Sequence, residues 1–197
     1  MTERLLTDAI KPSPSQGEGW ERVERPVVVD AVCLSQEGIR VAKRPVDEAF
    51  IGPHGFVGDR HEAELRRKPY GRSTAPNHRQ WHGVCTEEVD AICADLGLPP
   101  LPFGALGENL RLSGLLLGEL PNGTELTLPS GARLRLHQQT DPCINAAKEL
   151  VQTYGDAANG FVKAAMGRRG VVGQVLEPGA VRPGDVVQVH LPALIAK

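Results

Sequence analysis

Cys143 is the residue best placed to do chemistry in this sequence, because it stands where a strand gives way to a helix. Alternating apolar and polar residues over 132–137 predict a strand with one buried face. The helix-forming run 144–151 predicts a helix that ends near Gly155. Asp141 is the expected N-cap, which puts Cys143 in the first turn, where backbone N–H groups and the helix dipole favour a thiolate. A thiolate is the nucleophilic form of cysteine.

The other three cysteines are predicted to be structural. Thr86 begins a predicted helix that ends at Gly97, and Cys93 lies on its apolar face. Cys33 and Cys85 fall in strand-like segments, where a free cysteine packs as a small apolar residue. No C-x-x-C spacing is present, so neither a disulfide framework nor a redox dithiol is expected, and a reducing compartment suits the chain.

Composition excludes several classes of protein. With 197 residues, 41% of them hydrophobic, the chain can bury the core of one domain. A net charge of −2 and an aromatic content of 4% do not suit a nucleic-acid partner. We find no bilayer-spanning apolar run and no secretory pattern, so we expect a cytoplasmic protein without a membrane partner.

The chain predicts a flexible tail followed by one β-rich domain. Residues 1–26 are polar and contain proline and serine, which leaves too little apolar surface to offset the entropy of ordering. From residue 27 onward, short strand-like runs alternate with turns, and 22 glycines and 16 prolines favour a closed sheet over a doubly wound α/β fold. The predicted fold is mainly β with a few helices, a single β-barrel domain over residues 27–197.

Local patterns predict particular hairpins and helices within this domain. The clearest hairpin joins residues 124–128 to 132–137 through a Pro-Ser-Gly turn at 129–131. A second antiparallel pair is predicted between residues 171–176 and 186–190. Helices are predicted near residues 86–96, 142–153 and 157–166.

Several segments, taken in order, resemble the MOSC domain, the family named for the carboxy-terminal domain of molybdenum cofactor sulfurases. The match runs from about residue 28 to about residue 190, and the small stand-alone bacterial members are the most similar type. Any one segment is weak, but the ordered set is specific. The segments are GFVGDRH at 55–61, Arg79-Gln80 entering a strand, FGALGENL at 103–110 with Ser113-Gly114-Leu115, Asp141-Pro142-Cys143, and the closing run at 168–179.

The resemblance implies a β-barrel with a pocket built around the one family cysteine, here Cys143. It also implies sulfur transfer in association with the molybdenum cofactor, a molybdopterin whose pterin bears a phosphate, and molybdenum ion binding. A separate cysteine desulfurase is the implied sulfur source, and a molybdoenzyme is the implied acceptor. Full-length sulfurases carry a pyridoxal-phosphate desulfurase domain in front of this one, and pyridoxal phosphate is not expected in these 197 residues.

The sequence departs from the family pattern just before Arg79. Many small relatives carry a His-Gly-Gly run shortly before the Asp-Arg that enters the strand. Here residues 70–79 read YGRSTAPNHR. The difference bears on which ligand the pocket accepts.

Five further residues are predicted to bind cofactor or ligand, each with a plainer alternative. Arg79 is an anion contact or a surface arginine at a strand end. Asp59 follows two glycines in a tight loop, where turn chemistry is the alternative. Asn109 enters the pocket or ties a loop to the barrel. Asn145 orients a ligand or satisfies the first helical turn, and Arg169 reaches the pocket or is a solvated turn residue.

The histidines raise a rival hypothesis of a zinc site and metal-dependent hydrolysis. His78 and His82 are four residues apart, and with His54, His61 or Cys143 they would supply zinc ligands. This spacing brings two histidines together only on a helix, and the segment reads as a strand. No metal ligand is therefore assigned.

Three hypotheses of function remain from the sequence. The leading one is a sulfurtransferase-like carrier associated with the molybdenum cofactor, with Cys143 as acceptor and donor of sulfur. The second is a cofactor-binding reductase of N-hydroxylated compounds, as the resemblance to some stand-alone members implies. The third is a non-catalytic module that binds the cofactor.

Overall fold

A computed structural model describes residues 20–22, 26–35, 41–67 and 73–192 of the chain. Within these residues the fold is mainly β, as predicted, and seven strands form a closed barrel. Fourteen strands are present in the described ranges: β1 (Trp20–Arg22), β2 (Val27–Leu34), β3 (Arg44–Val46), β4 (Ala49–Gly52), β5 (Gly55–Phe56), β6 (Leu65–Arg67), β7 (Thr74–Pro76), β8 (Trp81–Cys85), β9 (Leu110–Ser113), β10 (Glu125–Thr127), β11 (Arg133–Gln139), β12 (Val171–Glu177), β13 (Gly179–Val181) and β14 (Val186–Pro192).

The barrel runs in the order β14, β10, β11, β12, β8, β9, β2, and pairing of β2 with β14 closes it. All neighbours are antiparallel except β8 and β9, which run parallel. A parallel pair needs a long crossover, and here a helix lies between the two strands in sequence. Outside the ring, β1 extends the sheet beside β14 and β3 beside β2, while β13, β4 and β5 form a separate small sheet.

The predicted helices are confirmed, and they lie together against one side of the barrel. The longer two begin directly after β8 and a few residues after β11, and Gly97 ends the first with φ of 63°, a left-handed conformation that glycine adopts without strain. The helices are α1 (Thr86–Leu96), α2 (Ile144–Tyr154) and the short α3 (Phe161–Ala164), with 3₁₀ turns at Leu117–Glu119 and Gly155–Gly160.

Two apolar clusters hold the fold together. The barrel interior is filled by inward-facing strand residues such as Trp81, Leu112 and Leu134. The helices bury a second cluster that includes Ile92 and Phe161. Because burial of apolar surface is the dominant stabilising term, these clusters fix α2 relative to the barrel, and with it the segment that carries Cys143.

Of the two strand pairs predicted from the sequence, one is confirmed and the other is wrong. β10 and β11 form the predicted hairpin, with Leu126 opposite Leu134. The predicted pair of 171–176 with 186–190 does not exist, because β12 pairs with β11 and β8, and β14 pairs with β10, β2 and β1. Alternation along a strand indicates which face is buried, but it does not select the neighbouring strand.

The predicted tail, residues 1–26, lies mostly outside the described residues. Within it, Trp20–Arg22 form β1, which pairs antiparallel with β14. These three residues therefore belong to a sheet, and for the rest of the stretch the tail stays a prediction. Among the described residues, no helix has the length and apolar character needed to cross a bilayer.

Candidate functional site

Cys143 caps the amino terminus of α2. Its backbone is extended, with φ of −102° and ψ of 148°, and its Sγ accepts a hydrogen bond from the Ala146 N–H at 3.4 Å. The predicted cap, Asp141, is therefore wrong by two residues: Asp141 and Pro142 precede the helix in irregular backbone. Cys143 itself therefore takes the N-cap role, in which the side chain accepts from the free N–H donors of the first turn.

The thiol opens into a cleft of about 350 Å³ on the side of the barrel where α2 begins. Four of the predicted site residues line it together, namely Cys143, Arg79, Asn145 and Arg169. The lining is completed by Val41, Arg60, His61, His82, Leu106, Gly107, Thr140, Asp141 and Val172. We call this site the Cys143 cleft.

Arg169 supplies a buried positive charge to the Cys143 cleft. Only 5% of the residue is exposed, and one amino group donates to the carbonyl of Leu106 while the other lies 2.9 Å from His82 Nε2. No carboxylate among the described residues forms an ion pair with it within 4.0 Å, and its Nε has no hydrogen-bond partner. Burial lowers the pKa of Arg169, whereas the charges of Glu108 and Cys143 raise it.

His82 is the side chain that contacts the Arg169 guanidinium. Burial, reinforced by the nearby charge of Arg169, holds the pKa of His82 well below its usual range, so the ring is neutral near pH 7. The Nε2 of this ring lies 2.9 Å from the Arg169 guanidinium and 3.2 Å from the Arg169 carbonyl oxygen, so it accepts from the first in one neutral tautomer and donates to the second in the other. A backbone hydrogen bond with Gly107 involves the same ring. Sequence reasoning considered His82 only as a metal ligand.

Arg79 enters the cleft from the start of β8 and is positioned by Asn77. The Asn77 Oδ1 accepts from the Arg79 N–H at 3.0 Å, while its Nδ2 donates to the carbonyls of His61 at 3.0 Å and Ala63 at 2.9 Å. Burial lowers the pKa of Arg79, whereas Asp141 and, to a smaller extent, Cys143 raise it. A guanidinium keeps its charge through such changes, so Arg79 is a second cation in the lining of the cleft that contains the sulfur.

Asp59 lies behind the cleft and is the centre of a group that we call the Asp59 cluster: Ser35, Lys43, Asp59 and His61, of which Lys43 and Asp59 are buried. One carboxylate oxygen accepts from the Ser35 N–H and hydroxyl at 2.9 and 3.0 Å and pairs with Lys43 Nζ at 2.9 Å. The other meets the backbone N–H and the Nδ1 of His61 at 3.0 and 3.2 Å. Burial alone would raise the pKa of Asp59, but the hydrogen bonds from His61 and the charge of Lys43 outweigh it and lower the pKa.

The cluster reaches the cleft through His61, which lines it. Asp59 itself is not among the lining residues, so it acts on the site by orienting this ring. The sequence indicates the contact between Asp59 and His61, because the two residues are two apart in a tight loop. The contact of Lys43 with Asp59 cannot be predicted from local sequence, because the two residues are distant in the chain and meet only in the folded structure.

Asn109 ties strands together rather than lining the cleft. Its Oδ1 accepts from the His82 N–H at 3.2 Å, and its Nδ2 donates to the Cys33 carbonyl at 3.3 Å. The neighbouring Glu108 is fully buried and accepts from Arg111 and from the N–H groups of Gly104 and Leu106.

These contacts fix the 104–109 loop and therefore the Leu106 carbonyl that receives Arg169. Of the two interpretations of Asn109 left open by the sequence, its position favours the loop tie.

The remaining cysteines are buried, as predicted. Burial, followed by the charge of Glu108, raises the pKa of Cys33 to about 12. Burial also raises the pKa of Cys85, whose thiol donates to Glu88 at 3.0 Å. Cys143 is the exposed member of the four.

The histidines do not assemble into the zinc site that was weighed as a rival. His82 faces Arg169, and His78 stacks on His137 with ring centroids 4.2 Å apart. The described part of the chain contains no group of three or more histidine, cysteine or acidic side chains arranged to hold a metal ion.

Comparison with known proteins identifies the family. The model of the MOSC domain matches residues 70–188, more than half of the chain. The chain belongs to the MOSC domain family. A relative, YuaD of Bacillus subtilis strain 168, is described as a candidate metal-sulfur cluster biosynthesis protein; it is 36% identical over 157 residues, which are 75% of this chain and 82% of YuaD.

Solved structures agree with this MOSC assignment. The crystal structure of Bacillus subtilis YuaD superimposes with a TM-score of 0.82 and 29% identity, covering 87% of this chain and 98% of YuaD. YiiM of Geobacillus stearothermophilus has a TM-score of 0.62 at 18% identity, over 83% of this chain and 75% of YiiM. YiiM of Escherichia coli has a TM-score of 0.53 at 20% identity, over 86% of this chain and 69% of YiiM. The two YiiM structures support the barrel fold alone.

Proposed function

We propose that this MOSC protein is a sulfur carrier associated with the molybdenum cofactor, and that Cys143 accepts and donates the sulfur. One observation supports the proposal above all: an exposed cysteine at a helix amino terminus shares a cleft with two arginines whose charges interact with it. The name given to YuaD, which refers to metal-sulfur clusters, agrees with a role in sulfur handling.

Sulfur transfer to Cys143 is a thiol exchange. The Cys143 thiolate attacks the outer sulfur of a persulfide on a donor protein, a new sulfur–sulfur bond forms at Cys143, and the donor cysteine leaves as a thiolate. No oxidant or reductant is required, since one persulfide is exchanged for another. A cysteine desulfurase is the proposed donor, and a molybdoenzyme is the proposed acceptor.

The cleft favours the negative charge that this exchange carries at every stage. Thiolate and persulfide are both anions, and the Cys143 cap position directs the Ala146 N–H at the sulfur. Arg79 and Arg169 add two positive charges. Because an anion beside fixed cations is stabilised, the persulfide form of Cys143 is expected to persist long enough to be passed on.

The donors of the cleft also fit the phosphate of a molybdopterin. Two buried polar atoms of lining residues have no hydrogen-bond partner, the Nε of Arg169 and the hydroxyl of Thr140. Guanidinium and hydroxyl groups are suitable donors for phosphate oxygens. Arg79 and Arg169 would hold that phosphate and Asn145 would orient the pterin, and the bound cofactor would supply a redox-active molybdenum centre.

Persulfide formation tests the proposal directly. The protein is incubated with a cysteine desulfurase and L-cysteine, and intact-mass and peptide mass spectrometry locate the added sulfur. We expect one added sulfur, on Cys143, and none in Cys143→Ser. Cys93→Ala is the matched control because it removes a buried thiol and leaves the cleft unchanged. Sulfur on a buried cysteine, or none at all on the wild type, would overturn the proposal.

A further inference from the structure

The charge of Arg169 points to an anionic ligand held at the cysteine itself. The residue is 95% buried, since 5% of its surface is exposed, and it has no ion-pair partner among the described residues. An isolated buried charge is expensive, and proteins keep one where a ligand or partner compensates it. Its Nε carries an unused N–H donor in the wall of the cleft.

Other lining groups extend this anion site. The hydroxyl of Thr140 is a second buried donor without a partner. Two arginines with buried or half-buried side chains, Arg79 and Arg169, line the cleft together with one carboxylate in the described lining, that of Asp141. His82 is neutral, so the two guanidinium groups and the Thr140 hydroxyl are the groups of this wall that suit an anionic ligand.

The position of these cations relative to the sulfur restricts the ligand further. Arg79, Arg169 and Cys143 line the same cleft, so an anion held by the two guanidinium groups shares that cleft with the thiol. In a phosphorylated pterin the phosphate is several bonds from the reactive sulfur atoms. In thiosulfate, by contrast, the charged oxygens are one atom away from a transferable sulfur. The compact dianion therefore satisfies the arginines and the thiol together.

We propose that the Cys143 cleft binds thiosulfate or a similar sulfane-sulfur dianion and takes its outer sulfur directly onto Cys143. The inference rests on the proposed function of Cys143 as a sulfur carrier, and it adds a small-molecule donor to the protein donor. A thiosulfate ion and a phosphorylated cofactor would occupy the same guanidinium groups in turn.

The reaction balances without a further reagent. The Cys143 thiolate attacks the outer sulfur of thiosulfate, the new sulfur–sulfur bond forms, and the bond between the two thiosulfate sulfurs breaks. The electron pair of that bond leaves with sulfite, so the products are the Cys143 persulfide anion and the sulfite dianion. Arg79, Arg169 and Thr140 bind the sulfonate oxygens, and their charges stabilise the departing sulfite.

A comparison of two sulfur donors tests the inference. Wild-type protein is mixed with thiosulfate in one arm and with cysteine desulfurase plus L-cysteine in the other, and both sulfite release and sulfur on Cys143 are measured. With thiosulfate we expect a burst of one sulfite per Cys143, matched by one added sulfur. Cys143→Ser should show no burst.

Variants of the arginines locate the anion site. Arg79→Ala is expected to lower the apparent second-order rate of the burst by about tenfold or more, as loss of a charge-assisted hydrogen bond implies. Arg169→Lys keeps the charge and removes the Nε donor, and it should lower the rate as well. Arg182→Ala is the matched control, because Arg182 is exposed and pairs with Glu48 away from the cleft lining. Circular dichroism confirms that each variant is folded.

The outcomes separate the two proposals. Persulfide from both donors supports the inference, provided that the arginine variants slow the thiosulfate arm more than the desulfurase arm; equal slowing of the two arms would overturn it. Persulfide from the desulfurase alone overturns the inference and leaves the carrier function intact. Persulfide from neither donor overturns both, and an equal rate in Arg79→Ala, Arg169→Lys and wild type overturns the assigned anion site.

Discussion

The Asp59 cluster and the Cys143 cleft are neighbouring regions, and each contains a buried charge. The two differ in whether that charge has partners within the protein. Asp59 is surrounded by partners, since Lys43, the Ser35 donors and the His61 ring satisfy both oxygens. Arg169 is equally buried but has no counter-ion among the described residues and keeps an unused donor. The charge of Asp59 is therefore balanced by groups of the protein itself. The charge of Arg169 remains available to a ligand.

The largest expected effect is the loss of stability when Asp59 is removed. Asp59→Ala leaves Lys43 buried without its partner, and the free energy of unfolding should fall by about 3–5 kcal/mol. Urea denaturation at neutral pH measures it. Asp47→Ala, at an exposed position, is the control and should change the free energy by less than about 0.5 kcal/mol. Equal effects of the two substitutions would contradict a paired, structural Asp59.

The contrast between buried and accessible groups is sharpened by cysteine labelling. Cys143 should react with a thiolate-directed alkylating agent faster than Cys33, Cys85 or Cys93 by on the order of 100-fold, because reaction requires both access and thiolate. Burial raises the pKa of Cys33 to about 12, which leaves little thiolate at pH 7. Peptide mapping after brief labelling gives the order. A buried cysteine that is labelled first would remove Cys143 from the role of nucleophile.

Anion binding provides the next test of the cleft. Arg79→Ala should weaken binding of a phosphorylated pterin by about 1.5–3 kcal/mol, the value for a hydrogen bond to a charged group. Isothermal titration calorimetry measures the affinity, and Arg182→Ala should bind as the wild type does. If Arg79→Ala binds normally, the guanidinium does not contact the ligand; if the variant unfolds, Arg79 has a structural role instead.

The smallest effect is the pH dependence that Asp59 confers. Its folded-state pKa lies below the unfolded value of about 3.9, so its contribution to stability is complete above that pH and is lost as the pH falls toward the folded-state pKa. Below pH ~3.9 the difference in unfolding free energy between wild type and Asp59→Asn should shrink by about 1.4 kcal/mol per pH unit. Denaturation series at several pH values measure this difference, and a constant difference would show that the carboxylate is not stabilised by its partners.

The sequence predicted those features that depend on local pattern. The strand before Cys143 and the helix after it follow from periodicity and helix propensity, and both are present. The cap was placed at Asp141 because its side chain is a preferred capping group, but the backbone turns helical only after Cys143. Local preference set the region of the helix start, and packing of the whole segment set the residue.

Features that depend on contacts between distant segments were not predicted. Arg169 has no carboxylate partner among the described residues, and its Nε has no hydrogen-bond partner. Such missing partners depend on the folded structure and cannot be predicted from spacing in the sequence. The residue type of His82 indicates a metal ligand, whereas burial and the charge of Arg169 keep its ring neutral beside the Arg169 guanidinium. The neighbours of β12 and β14 follow from closure of the ring rather than from the alternation in either strand.

The pairing of β2 with β14, which closes the barrel, also affects how fast the chain folds. Val28 of β2 pairs with Val186 of β14, so the ring of strands cannot close until almost all of the described chain has been synthesised. Pairing of such distant segments slows folding, because the entropy of closing a long loop must be overcome before the contacts form. Until then the two strand edges are open to pairing with other chains. β8 and β12, which contribute His82 and Val172 to the cleft, belong to the same ring. We therefore expect the reactive cysteine to acquire its arginines late, after the last strand has left the ribosome.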